Sequence, residues 1–455
     1  MQTFLAKYGS AAHLALLAVA PLFLFAFCDE YTIAIVILWL SLLEFCWLFF
    51  MPSVRRGEFL YNAINRVRRG VVFDPLFWIL LVIVILCGLR AINGGISLVY
   101  DAENTIWKIS PAGLPFLPGS VGTAGFLPFA AVVAIFLITQ AIRHSLGRSA
   151  RLMFVVIATI LSGISSMVFI ISFGRGHCRA AIDCSVGSLP TAALAFSVFL
   201  LISMVALLIT FEREWYLASV LSIASVGGNF VATFLLSPAY LFLATCVGFG
   251  LTFVYVFVYA FLKLNGRVAF RILAVSFISF ALGVAIAYLF LPKGLFEERL
   301  SAIDGVWFTE KYLNVRAALS SISFKAWVDH MWIGAGMGSF PMAFRFGADE
   351  SIWAILPRGA QVAANGWWQV LVERGIVGGV MILMVACVLI YTYVRKAMVG
   401  IAVERYPHPL CSLAVFVFAL AVFASFFDCS FLRCEGLMSV VAVLSVSAAA
   451  FPRKR

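Results

Sequence analysis

LPTAALAFSVFLLISMVALLITF, residues 189–211, carries no charged side chain. At 1.5 Å per residue, a helix of this length crosses a hydrocarbon layer about 30 Å thick. Its apolar residues do not alternate with polar ones, and backbone groups in lipid must be satisfied within their own segment, so the stretch reads as a helix and not as a barrel strand. Comparable stretches lie at 11–28, 32–51, 71–89, 120–141, 152–173, 215–236, 239–262, 268–292, 364–394, 409–427 and 436–451. Of the residues, 64% are hydrophobic and 12% charged, against roughly 25% charged in soluble domains. The expected fold is therefore an all-α polytopic membrane protein with about twelve transmembrane helices, and residues 1–455 form a single transmembrane domain.

The net charge of +11 raises the question of nucleic acid, and the placement of the cations answers it. Arg55, Arg56, Arg66, Arg68 and Arg69 share one loop; Arg143, Arg148 and Arg151 another; Lys263, Arg267 and Arg271 a third; Arg395, Lys396 and Arg405 a fourth. With Arg453, Lys454 and Arg455 they occupy alternate connections, which sets topology, excludes a basic nucleic-acid arm and places both termini in the cytoplasm. The first stretch follows Lys7 and ends at Cys28, Asp29 and Glu30 without a small-residue cleavage pattern, so it is expected to stay as a helix. The sequence shows no internal repeat and no low-complexity tract.

On the opposite face the longest connection, residues 293–363, falls between the ninth and tenth spans. Connections beyond about fifteen residues are uncommon without structure of their own, so short helices are expected there. Cys178 and Cys184 share one extracytoplasmic loop, Cys429 and Cys434 another, and disulfides within or between these loops are expected on an oxidising face.

Ionisable residues inside apolar helices require a reason, because each costs roughly 2.5–3.5 kcal/mol at the bilayer centre. Glu44 lies towards the cytoplasmic end of the second span, where snorkelling or pairing explains it. Glu373 follows Asn365 and Gln369 at four-residue steps, a polar stripe on the helix that leaves the long loop. Within that loop, residues 316–331 read as an amphipathic helix with Arg316, Ser320, Ser323 and Trp327 on one stripe. Arginine's fork of donors suits phosphate oxygens, and tryptophan suits a membrane interface or a sugar face. The run from Gly334 to Phe340 lacks the strand and the acidic residue of a dinucleotide site, so it reads as a tight backbone turn.

The succession Arg316, Trp327, Asp329 to Met331, the glycine run, Phe340, then Asn365, Gly366, Trp367 to Gln369, Glu373, Gly375 and Gly378 resembles the O-antigen ligase and O-antigen polymerase superfamily. The motif covers about 316–380, and the family's layout, with cytoplasmic termini and a long periplasmic loop between spans nine and ten, agrees along the whole chain. The resemblance implies a metal-independent, inverting glycosyltransferase of the bacterial inner membrane. Such an enzyme moves a glycan from undecaprenyl diphosphate to a polysaccharide or lipid A-core hydroxyl in the periplasm, with no cofactor. Membrane lipids and proteins of polysaccharide export or chain-length control are the partners it implies. The family's early loop Arg matches Arg316. Where the family has a His before the asparagine this chain has Ala364, and where it has a Ser-Arg-Gly turn this chain has Ser237, Pro238, Ala239 and Tyr240.

A departing diphosphate needs cations, and an attacking hydroxyl needs a proton acceptor or accurate placement. The residues assign the diphosphate to Arg316, with Arg175, Arg345 and Arg358 as further cations. Glu373 and His330 are the candidate bases, and Trp327, Asn365 and Gln369 line the substrate. Three alternatives stand beside this reading. Asp29 and Glu30 as a metal-holding acidic pair is the weakest, since capping charges explain them. A transporter or flippase would place paired broken helices and charges at the midplane, which the sequence does not display. A non-catalytic assembly partner is the third.

Overall fold

Each of the twelve apolar stretches is overlapped by a helix in the computed structural model, which describes residues 2–25, 28, 30–50, 75–92, 96–101, 106–111, 126–144, 146, 148–174, 189–290, 310–356, 360, 362–391, 408–427 and 434–448. In chain order these helices are α1 (Gln2–Phe25), α2 (Glu30–Phe50), α3 (Pro75–Ile92), α4 (Phe126–His144), α5 (Arg148–Gly174), α6 (Leu189–Glu212), α7 (Tyr216–Leu236), α8 (Ala239–Tyr259) and α9 (Gly266–Phe290). The connection after α9 supplies α10 (Glu310–Asp329), α11 (Phe340–Gly347) and α12 (Glu350–Ile355), and the bundle resumes with α13 (Gly366–Leu389), α14 (Pro409–Phe427) and α15 (Cys434–Ala448). Seven of the described helices are long and apolar enough to cross a membrane, and five more are shorter apolar helices. The chain is a membrane-embedded helical protein.

One element departs from the helical expectation. Between α3 and α4, strands β1 (Ile96–Asp101) and β2 (Ile106–Pro111) pair antiparallel, with Ile96 opposite Pro111 and Asp101 opposite Ile106. A stretch read only as a loop holds this hairpin, whose Val, Ile, Tyr and Trp residues suit paired strands.

The core is built around α6, whose apolar window is wholly buried. A helix that is apolar on every side must be surrounded by others, and α5, α7, α8, α14 and α15 all pack against it. Its serines cost little because each hydroxyl bonds back to its own helix, Ser197 to the Ala193 carbonyl at 2.7 Å and Ser203 to that of Phe199. Asn229 of α7 ties three helices together, its amide donating to Ser162 of α5 at 3.0 Å and to Ser203 at 3.3 Å. On the periphery, only 22% of the apolar windows of α8, α9 and α13 is buried, which leaves their other faces for lipid.

Lipid tails are as apolar as leucine, so helix association in the bilayer relies on close packing of small residues. Gly227 on α7 faces Gly283 on α9 so closely that a Cβ at 227 would stand 2.6 Å from the Ser279 carbonyl oxygen. Gly227→Val is therefore expected to push α7 and α9 apart and to cost about 1–3 kcal/mol. Thermal unfolding in detergent reads this, and an unchanged midpoint would show that the helices part freely.

Candidate functional site

The four-residue spacing of Asn365, Gln369 and Glu373 places them on one side of α13, and the structure joins them into a ladder. Asn365 caps the helix, its Oδ1 accepting from the Trp368 N–H at 2.9 Å. The Gln369 side chain accepts from the Ala363 N–H at 2.7 Å and donates to Glu373 Oε1 at 2.6 Å. The same Glu373 oxygen accepts from the Gly338 N–H at 2.8 Å. The polar stripe thus fastens both the entry to α13 and the glycine-rich turn.

That turn does more than reverse the chain. Helix α13 is interrupted at Gly375, where φ is 62° and ψ −164°. Across the interruption the carbonyls of Val372 and Glu373 accept from the N–H groups of Ala335 (2.8 Å) and Gly336 (3.1 Å). The N–H groups of Ile376 and Val377 donate to the carbonyls of Met331 (2.9 Å) and Trp332 (3.1 Å). Four backbone groups that a broken helix would orphan are satisfied by one inserted segment. The insertion leaves no room for a side chain, since a Cβ on Gly334, at φ 80°, would lie 2.6 Å from the Glu373 carbonyl oxygen. Gly336 and Gly338 also have positive φ, which bears out the reading of this run as tight backbone turning. Among the described helices α13 alone carries such a break, and the loop fills it.

The elements α10 to α12 form a small apolar core of their own with the start of α13, centred on Ile322, Phe340, Phe344, Ala363 and Val372. Trp327 belongs to it, with ring centroids 5.9 Å from Phe324 and 6.4 Å from Trp368. The stripe expected on this helix is partly internal: Ser323 is fully buried, its hydroxyl bonded to the Leu319 carbonyl at 2.6 Å.

Arg316 points from α10 towards the bundle. Its Nη1 donates to the Phe427 carbonyl at 2.6 Å, and its Nη2 to the carbonyls of Ala364 at 2.9 Å and Phe426 at 3.0 Å. Its guanidinium carbon lies 5.7 Å from the centroid of the Phe427 ring. A cation at the last carbonyls of α14 is favoured by the negative end of the helix dipole, and the contact to Ala364 joins that end to the start of α13. Phe427 in turn stacks on Tyr240 of α8, centroids 4.8 Å apart and planes 22° from parallel.

Two further cations lie near this carboxylate, Arg374 beside it in the chain and Arg90 brought by packing. Arg90, in the last turn of α3, lies within electrostatic reach of both Glu373 and Arg374. Read along the chain, Arg90 marks a helix end and Arg374 neighbours a more conspicuous Glu; only the packing of α3 on α13 brings them to one place.

His330 sits in the turn after α10, its N–H bonded to the Trp327 carbonyl and its own carbonyl accepting from Gly334. Burial lowers its pKa from the usual histidine value, and the Asp329 charge offsets part of that effect. A depressed folded pKa means the fold favours neutral imidazole, so this stability is complete above the unfolded value near 6.5 and fades as pH falls through the folded pKa. The unfolding midpoint is expected to fall with acidification below about pH 6.5, and to fall less in His330→Gln. Parallel pH profiles for the two proteins would remove His330 as the source.

Of the other residues singled out, Arg345 lies exposed in the last turn of α11. Arg175, Arg358, Cys178, Cys184 and Cys429 lie outside the described residues, and Cys434 is described only as the first residue of α15. No family model matches the chain, and a search of curated proteins finds no match.

Proposed function

We propose that the protein is a glycosyltransferase that moves a glycan from a polyprenyl diphosphate to an acceptor hydroxyl at the membrane surface, as a polysaccharide polymerase or ligase of the bacterial inner membrane acting on its periplasmic face. The observation that carries this reading is the meeting of three separate segments around Phe427. Arg316, Ala364 at the position of the family's histidine, and Tyr240 in place of the family's Ser-Arg-Gly turn are joined through Phe427 and a set of short hydrogen bonds. Segments 76 and 124 residues apart, counted from 240 to 316 and from 240 to 364, have no local reason to converge.

The chemistry needs little covalent participation by the protein. The acceptor oxygen attacks the anomeric carbon, the bond to the diphosphate oxygen breaks, and the acceptor proton passes to a base. Arg316, Arg90 and Arg374 supply positive charge for the leaving diphosphate, whose developing charge is the largest electrostatic demand. Glu373 or His330 accepts the proton, and the lowered pKa of His330 keeps its imidazole in the accepting form. Arg345, exposed on α11, and the undescribed Arg175 and Arg358 remain additional cations of this proposal.

The test is to incubate the purified protein with lipid-diphosphate-linked repeat units, with and without a lipid A-core acceptor, and to separate the products by length. Longer glycans are expected without the acceptor and capped acceptor with it. Glu373→Gln keeps the acceptor oxygen for Gly338 and Gln369 but removes the charge, and is expected to lower the rate about 100-fold or more. Unchanged donor in every reaction would end the transferase reading.

The break in α13 favours a second reading, transport or flipping of a lipid-linked substrate, because interrupted helices are where carriers build their sites. Those interruptions come in pairs, whereas among the described helices only α13 carries one. Movement of a labelled lipid-linked glycan across proteoliposomes without elongation would select this reading.

A further inference from the structure

Far from the candidate site, α1 and α2 hold a pair of titratable groups inside the bundle. Glu44 is fully buried, and neither of its carboxylate oxygens has a hydrogen-bond partner. His13 Nδ1 lies 3.4 Å from Glu44 Oε2, sealed from solvent and likewise without a hydrogen bond, while the imidazole as a whole is 39% exposed. Trp47, one turn from Glu44, meets the imidazole edge to face at 4.6 Å, and its buried Nε1 also lacks a partner. Gly9, one turn before His13, makes the room: a Cβ there would stand 3.0 Å from Trp47 Cε2. Gly9 and His13 on one helix thus face Trp47 and Glu44 on the other.

The depth of the pair follows from the helices. The rings of Tyr31 and Phe126 touch at 5.9 Å, so α2 and α4 begin at one face. A Cβ on Gly88 would stand 3.2 Å from the Phe129 ring, which puts the end of α3, and with it Arg90, near that face too. Glu44 lies thirteen residues beyond Tyr31, about 20 Å below that face and inside a hydrocarbon core about 30 Å thick. Of the two sequence readings of Glu44, snorkelling and pairing, burial excludes the first and the contact with His13 answers to the second.

The groups around it are few. On α1 the other titratable side chain described is Tyr8, α4 has none among its described side chains, and α5, behind α1, brings Arg151. Gln140 of α4, buried and with both amide atoms unpartnered, is neutral. An ionised carboxylate with no donor at either oxygen is among the costliest groups a membrane protein can hold, and His13 is the cation-forming neighbour in contact with it.

The geometry points to a proton-binding site formed by His13 and Glu44, in which one proton delivered to Nε2 of the half-buried imidazole neutralises the buried carboxylate. The step balances with hydronium as the only other reactant. Hydronium gives a proton to Nε2 and is left as water, and Nδ1 gives its own proton to a Glu44 oxygen; one N–H bond forms as another breaks, and the carboxyl O–H bond forms as the hydronium O–H bond breaks. The ring ends neutral in its other tautomer, and the carboxylate charge is gone. This places a proton-responsive pair in the bundle independently of the transferase reading, about 20 Å from the face that carries Glu373.

Infrared difference spectroscopy of the full chain in lipid nanodiscs tests this by following the carbonyl stretch of protonated carboxyl groups through a pH titration. The expected result is a band that grows on acidification, shifts in heavy water, is missing in Glu44→Gln and moves its midpoint by about one pH unit or more in His13→Leu. If Glu44→Gln does not fold, Glu44→Asp keeps a carboxyl and is expected to displace the band. A spectrum the same as wild type in the Glu44 variants, or a His13→Leu midpoint equal to wild type, overturns the proposal. A midpoint that moves when sodium replaces potassium also overturns it, in favour of a metal-cation site.

Discussion

Alanine at Gly375 is expected to destabilise the protein by about 3 kcal/mol or more and to expel the glycine turn from α13. Two terms add. The backbone there, at φ 62° and ψ −164°, lies in a region open almost only to glycine, and any other residue pays roughly 1–3 kcal/mol to occupy it. The new Cβ would also collide with the carbonyl carbon and oxygen of Trp332 and stand 2.6 Å from the Gly334 nitrogen, backbone atoms with no freedom to turn away. Relief requires Met331 to Gly336 to move, and that breaks the four hydrogen bonds that close the interruption. Tryptophan fluorescence during denaturant unfolding measures this, because Trp332 sits in the displaced segment and Trp327 and Trp368 lie in the apolar core beside it. A loss below about 1 kcal/mol would mean that α13 heals into a continuous helix without the insert.

Glu373 then reports on the same event chemically. Its Oε1 is held by Gly338 and Gln369, so an expelled turn leaves the carboxylate with one of those donors gone. The charge would then lie closer to free exchange with Arg90 and Arg374. The pairing of backbone graft and carboxylate explains why glycines at 334, 336, 338 and 375 accompany a Glu at 373: the turn is built against the helix, and the side chain locks it.

Much of the bundle was open to reading from the chain. Stretch 364–394 became α13 from Gly366 to Leu389, and 239–262 became α8 with its π-turn at Ala260–Leu264, because apolar length alone decides where helices form in lipid. The ladder of Asn365, Gln369 and Glu373 was visible as four-residue spacing, and the glycine run as turning backbone. The break at Gly375 was not, since a single glycine in an apolar helix carries no sign that the carbonyls of Met331 and Trp332, far earlier in the chain, will fill a gap beside it. The convergence of Arg90 with Arg374, and of His13 with Glu44, was hidden for the same reason: each pair is made by packing between helices, and neither member has a neighbour in sequence that marks it. His13 sits in an apolar stretch whose hydropathy it hardly changes. The hairpin Ile96–Pro111 was short enough to pass as a loop.

Arg316→Ala is the second substitution expected to have a large effect, and Arg316→Lys tells what the arginine does. Removing the guanidinium takes three donors from the carbonyls of Ala364, Phe426 and Phe427, one of which is bonded at 2.6 Å. Hydrogen bonds to a charged donor are worth roughly 1.5–3 kcal/mol each, and water at the rim replaces part of them, so a loss of about 3 kcal/mol is expected. Lysine restores the charge but offers a point donor in place of a planar fork, and a single ammonium cannot hold the end of α14 and the start of α13 at once. In the glycan-transfer assay the alanine variant is expected to lose about 100-fold to 1,000-fold in kcat/KM. The lysine variant is expected to recover donor binding, seen as a near-normal KM, while kcat stays low because the two helix ends no longer hold the substrate in line. This split separates the two roles open to Arg316. A cation that only neutralises the diphosphate would be rescued by lysine in both constants, whereas a guanidinium that also joins α13 to α14 would not. Full recovery of kcat by lysine would therefore show that the three carbonyl bonds are incidental to the chemistry, and that the diphosphate displaces them when it binds.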